Sequence, residues 1–467
     1  MTTQVRLKAL TICLLLFTSI GSASAQLRLP ALFADGMVLQ QKDSVQFWGW
    51  AGPGETVTIK PSWTSQVYTA KSSYMSQWIT KVKTPEAGGP YTIEINSRNT
   101  IILKDVLIGE VWVCSGQSNM EWSYYNGVSD MNDQFALPPN KNIRLFHINK
   151  VGSNTPQDDV KASWTITDSN TMKGFSAVGY FFGKKLQEQL NVPIGLIGSA
   201  WGGTPADTWT PSPIIENNPV FKADNDKLNQ LDWWPVRPAQ AYNGMIAPIS
   251  KYGIAGVIWY QGESNVGNHA NYRQLFTTMI DAWRASFKNE MPFYFVQIAP
   301  FNYGPGEDAA HLRQAQTASM THPKTGMVVV NDLVDTVSDI HPKRKRPVGE
   351  RLAAWALANT YGKQGIVYRS PEFKSATKLK GKVTVEFDFI GSGIQSSTPK
   401  ITGFYLAGAD GVWQPADAVI KDNKVILSSK LVKDPTQVHY LYGNALLGSV
   451  QSKDGLPLNA FKASISN

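Results

Sequence analysis

The chain has 467 residues, 42% of them hydrophobic, with 44 lysines and arginines against 36 aspartates and glutamates, for a formal net charge of +8. That length and apolar content give a folded chain of two or three domains and argue against a disordered one. The one basic run, "KRKR" at 343–346, has no aromatic-interleaved motif beside it, which argues against a nucleic-acid partner.

In chain order, residues 1–25 read as a secretory leader. Arg6 and Lys8 start it, an apolar stretch runs from Ala9 to Ile20, and Ala23-Ser24-Ala25 forms an A-x-A cleavage site before Gln26. The expectation is export to the periplasm or the extracellular space. No later segment approaches the roughly 20 apolar residues of a membrane helix, so no membrane insertion is expected. Cys13 leaves with the leader, and Cys114 is left without a disulfide partner, as a buried strand thiol.

From 26 to 104, short apolar runs such as "SVQFWGW" and "YTIEI" are broken by turn signals, which predicts a small antiparallel β-domain. From 105 to 369, apolar strands alternate with helical patterns. The strands are "DVLIGEVWVC", "VPIGLIGSA", "GIAGVIWYQ", "PFYFVQIAP" and "TGMVVVND"; the helices lie at 176–190, 271–287 and 348–361. Alternation of this kind predicts an α/β domain, a parallel sheet covered on both faces. From 370 to 467 the helices vanish and a C-terminal β-region is expected.

In open α/β sheets, ligands sit beyond the carboxyl ends of the strands. Polar loops stand at four such ends: "SGQSNM" with Ser118, "SAWGGT" with Gly202 and Gly203, "QGESN" with Gln261 and Asn265, and "SDIHP" with His341. A serine hydroxyl attacks only when a base takes its proton, and the base needs an acceptor to orient it. His341 is the expected base and Asp339 the expected acid, with Asp335 and Asp332 in reserve or a Ser–His dyad aided by a backbone carbonyl. The oxyanion would be held by the Ser118 N–H, by Gly202 or Gly203, and by the amide of Gln261 or Asn265, with Gln261 preferred for its place at a strand tip. No zinc spacing, phosphate loop or G-x-S-x-G elbow is present, so no metal and no cofactor is expected. A two-carboxylate glycosidase built on Glu121 and Glu263 is the rival chemistry.

The blocks "GEVWVCSGQSNMEW", "IGSAWGGTPADTW", "WYQGESN" and "DIHPKRKRPVGERLA", in this order, resemble the sialate O-acetylesterases of the SGNH-hydrolase superfamily. "LPALFADGMVLQQ" and "GLPLNAF" extend the likeness over nearly the whole chain. The resemblance implies a flavodoxin-like three-layer hydrolase domain flanked by β-rich regions. It also implies a serine acyl-enzyme mechanism, with Ser118 as nucleophile and His341 as base, acting on the O-acetyl groups of sialic acids. Acetyl-xylan or another polysaccharide is the alternative substrate, and a carbohydrate-binding protein with a dead site is the alternative of another class, suggested by the 15 tryptophans. Lys343, Arg344 and Lys345 would attract a sialate carboxylate or form a solvated loop.

Overall fold

The computed structural model describes residues 26–466; the expected leader lies outside the described residues. The central sheet carries strands β1 (Thr100–Gly116), β2 (Asn140–His147), β3 (Trp164–Thr167), β4 (Ile194–Ala200), β5 (Gly256–Tyr260), β6 (Phe293–Val296) and β7 (Thr325–Val328). Their order across the sheet is β7-β6-β5-β1-β4-β2-β3, parallel throughout except for the antiparallel edge pair β2 and β3.

Side chains alternate across each strand, and the two apolar layers follow from that. Val111 and Val113 of β1, Val257 and Trp259 of β5, and Phe293 and Phe295 of β6 enter one core, shared with the helix α3 (His269–Phe287). Trp112 and Cys114, Ile258 and Tyr260, and Tyr294 and Val296 enter the other, under α2 (Ala177–Leu190) and α5 (Arg346–Asn359). A strand buried on both faces reads as a continuous apolar run, which is why these segments are legible. The start of α2 is fixed by Ser176, whose hydroxyl accepts the Gly179 N–H at 3.0 Å.

The N-terminal β-region is not separated by a linker. β1 begins within it, pairing antiparallel with Gly88–Asn96 and parallel with Val38–Gln40, and then continues into the central sheet. The boundary expected at 104/105 therefore falls inside one strand, at Asp105, whose φ of 53° marks the bend. Leu103, Val106 and Ile108 share a core with Val111 and Val113. The C-terminal region has its own core around Val385, Leu406, Leu427 and Val438. It docks on the α/β part: the fully buried Arg313 of α4 (Asp308–Ser319) donates to the carbonyl of Gly443, and Asn444 Oδ1 accepts the Ala309 N–H at 2.9 Å, capping α4 from outside.

Candidate active site

β1 is flanked by β4 on one side and β5 on the other, so its carboxyl end lies where the connections part in opposite directions, the usual ligand position of such sheets. There the chain must turn sharply. Gly116 adopts φ 133°, and a Cβ on it would lie 2.3 Å from the Tyr260 carbonyl oxygen, so only glycine fits. The short helix α1 (Ser118–Glu121) starts at once and puts Ser118 at its first position.

Ser118 Oγ lies 2.9 Å from His341 Nε2. The imidazole is stacked on Trp122 with centroids 4.1 Å apart, which fixes the ring plane. Burial, and then the charge of Lys345, hold the His341 pKa below its ordinary value, against the opposing pull of Asp339. Asp339 Oδ1 accepts the backbone N–H of His341 at 2.9 Å but is 3.8 Å from Nδ1, beyond hydrogen-bond reach of the ring. Asp332 is paired in bidentate fashion with Arg351, and Asp335 is exposed in the loop before Asp339.

Gly202 and Gly203 reach the same cleft, with differing roles open to them. The Gly202 N–H donates to Glu121 Oε2 at 2.7 Å, so it is already engaged; Glu121 is in turn paired with Lys150 at 2.5 Å. The N–H groups of Ser118 and Gly203 donate no hydrogen bond among the described residues. Gly203 has φ 80°, with the Trp234 ring where a Cβ would be.

The amides of Gln261 and Asn265 do not open on the cleft. Gln261 Nε2 donates to Asn265 Oδ1 at 2.8 Å and to the Thr204 carbonyl at 3.3 Å, while its Oε1 accepts from Tyr272. Asn265 Nδ2 donates to Asp207 at 2.9 Å. Both are buried, and they brace the glycine loop from behind. The side-chain amide that does line the cleft belongs to Gln117, which the motif reading passed over. Its Oε1 accepts the N–H groups of Gly262 and Ser264 at 3.2 and 3.4 Å, which turns its Nε2 away from them.

A second buried group lies behind the serine. Asn119 Nδ2 donates to Glu263 Oε1 at 2.6 Å and to the Ile340 carbonyl at 3.1 Å, and its Oδ1 accepts from Lys345 Nζ at 2.5 Å. Asn119 thus ties the serine turn to the loop carrying His341. Lys345, expected at the surface as part of the basic run, is completely buried, because it begins the turn into α5 and points under Trp122 and Tyr260. Burial brings its ammonium down to about 7, opposed by Glu263, Asp130 and Asp339. Burial likewise raises the Glu263 carboxyl, whose Oε2 has no hydrogen-bond partner. Glu121 and Glu263, the pair a glycosidase would need, are thereby engaged in holding a loop and a buried amide.

The cleft measures about 510 Å³ and is lined by Ser118, His341, Gln117 and Gly203, with Trp122, Trp201, Trp233 and Trp234 around them. A size of this order suits a small ligand.

Residues 108–358 match the family described as carbohydrate esterase, sialic acid-specific acetylesterase. The mouse and human sialate O-acetylesterases are each 29% identical to the chain, over 75% of it and 76% and 74% of their own length. A crystal structure of a carbohydrate acetylesterase from Xanthomonas citri superposes with a TM-score of 0.84 at 34% identity, covering 94% of this chain and 99% of that one.

Proposed function

The chain belongs to the sialic acid-specific acetylesterase family of carbohydrate esterases and is an esterase, and from that premise we propose that it removes O-acetyl groups from sugars through an acetyl-Ser118 intermediate. The observation that carries this is the 2.9 Å contact between Ser118 Oγ and His341 Nε2 at the carboxyl end of β1. His341 Nε2 takes the hydroxyl proton as Oγ attacks the acetyl carbonyl carbon. The tetrahedral adduct collapses with transfer of that proton to the departing sugar oxygen. Water, deprotonated by the same nitrogen, then attacks the acetyl-serine and releases acetate, and Oγ regains its proton.

The developing oxyanion is held by the N–H groups of Ser118 and Gly203 and by Gln117 Nε2, with Gln261 and Asn265 as the brace behind the glycine loop. Asp339 fixes the backbone of His341 and adds its charge; the unit works as a dyad assisted by a carboxylate at 3.8 Å. With β2 set aside as a further parallel strand outside β4, the order β4-β1-β5-β6-β7, numbered along the chain, is 2-1-3-4-5, which supports the flavodoxin-like SGNH reading. The names of the relatives bring sialic acids forward as substrate, and acetylated polysaccharide stands beside them. Residues 1–25 support export, with cleavage after Ala25.

A serine-directed phosphonate is expected to label Ser118, and Ser118→Ala to abolish hydrolysis of an aryl acetate. Peptide mass spectrometry that finds the adduct on Ser115, or full turnover in the alanine variant, would overturn the mechanism.

A further inference from the structure

The rim of the cleft carries more aromatic surface than a two-carbon acyl group needs. Trp233 is 64% exposed and stands edge-on to Trp234 at 5.6 Å between centroids, while Trp234 is pressed against Gly203. One exposed ring is ordinary on a protein surface; two adjoining rings lining the cleft of the reacting serine form an apolar face that a ligand can cover. Trp234 has a firm seat, so its neighbour is offered as a face beside the reacting serine rather than as part of the core.

The charge around that face is balanced. Lys150 is the lysine lining the cleft, no arginine lines it among the described residues, and Lys150 is paired with Glu121 at 2.5 Å. The four cations of the basic run do not reach it: Lys345 is buried on Asn119, Arg346 is bonded to the Asp130 carbonyl and to Asp133, and Lys343 and Arg344 are exposed outside the lining. Binding a sugar carboxylate calls for a cation with donors to spare, typically arginine. Here a carboxylate arriving at Lys150 would meet the Glu121 carboxylate already there, and would be repelled.

We propose that Trp233 and Trp234 form a subsite for a neutral sugar ring adjoining the acetylated one, and that Glu121, by cancelling Lys150, turns acidic sugars away. The substrate class is then an O-acetylated neutral glycan chain rather than a free acetylated sialic acid. This rests on the esterase reading of Ser118. Two sugar faces suit the arrangement: the apolar C–H face of one pyranose on the Trp233 ring, and the acetylated ring over Ser118.

The test compares kcat/KM for three substrates: an O-acetylated xylo-oligosaccharide, O-acetylated N-acetylneuraminic acid and an aryl acetate. The wild type is expected to prefer the neutral oligosaccharide to the acidic sugar. Trp233→Ala should lower the ratio of oligosaccharide to aryl acetate turnover by about tenfold, the size of one aromatic contact. Glu121→Gln keeps an acceptor for the Gly202 N–H but frees Lys150, and should raise the ratio of acidic to neutral substrate by about tenfold. A wild type that prefers the acidic sugar, or a Trp233→Ala variant that loses oligosaccharide and aryl acetate turnover equally, would overturn the subsite. Turnover of the aryl acetate that survives Ser118→Ala would instead overturn the esterase mechanism beneath it.

Discussion

After the burial of His341 itself, the charge of the buried Lys345 is what holds the pKa of that base down. At the acidic pH where an imidazole with a lowered pKa titrates, an ammonium that titrates near 7 still carries its charge. It repels a proton from His341, so the base stays free at lower pH than an ordinary histidine. The rate follows the unprotonated imidazole, and kcat/KM should fall only as pH drops through a value below 6.5. In Lys345→Met one of the two influences that lower the His341 pKa is gone, and the acid limb of kcat/KM should move to higher pH. A limb that stays in place, or moves down, would show that Lys345 serves only to hold Asn119. For the oxyanion, Gln117→Ala should lower kcat by roughly 10² to 10³ with KM little changed. Gln261→Ala, which removes the brace and not the donor, should cost kcat less and thermal stability more. Ser118 and the glycines were readable because each follows an apolar run closely, and His341 because it stands in the polar loop after the last one. Gln117, Asn119 and Lys345 were not: which of several neighbouring polar residues faces the cleft depends on the turn at Gly116, and a lysine in a basic run is ordinarily solvated.

Among elements, the turn between β1 and α1 bears the tightest constraint. Gly116→Ala would combine a left-hand-side backbone angle with a Cβ placed 2.3 Å from a carbonyl oxygen. Strain of this kind costs about 1–3 kcal/mol before any repacking, and the turn sets the direction of Ser118. The variant should melt lower than wild type and lose activity in the fraction that remains folded; an unchanged melting temperature and full activity would contradict the turn's role. The parallel strands β1 and β4 to β7 and the helices α2, α3 and α5 stand where periodicity put them, since continuous apolar runs and an apolar face at helical spacing report burial directly; β2, also parallel, was not anticipated. α4 was not anticipated. Its buried face does not read as apolar because Arg313 and Gln316 are buried on it as hydrogen-bonding groups, and its cap comes from Asn444, some 135 positions away.

At the scale of the whole molecule, three regions are expected from composition, but they are not three bodies. The C-terminal region accepts from Arg313 Nη2 and caps α4, whose Gln316 donates to the Gln261 carbonyl at 3.1 Å. Its own strands alternate cleanly and were legible; its docking was not, because the bonds that hold it join residues more than a hundred positions apart. A chain beginning at 105 should be insoluble or unfolded, as judged by circular dichroism and size exclusion, since Val106 and Ile108 would lose the apolar partners Ile93, Ile95, Leu103 and Val38 in their core. A folded, monodisperse fragment would show instead that the N-terminal sheet is dispensable. The same continuity of β1 bears on inheritance. A gene-level crossover near codon 104 would join half a strand from one parent to half from another and misregister two sheets at once, so recombinants there should be lost. Exchange between relatives is expected to carry residues 26–116 together as one cassette, the nucleophile's turn travelling with the sheet that holds its strand.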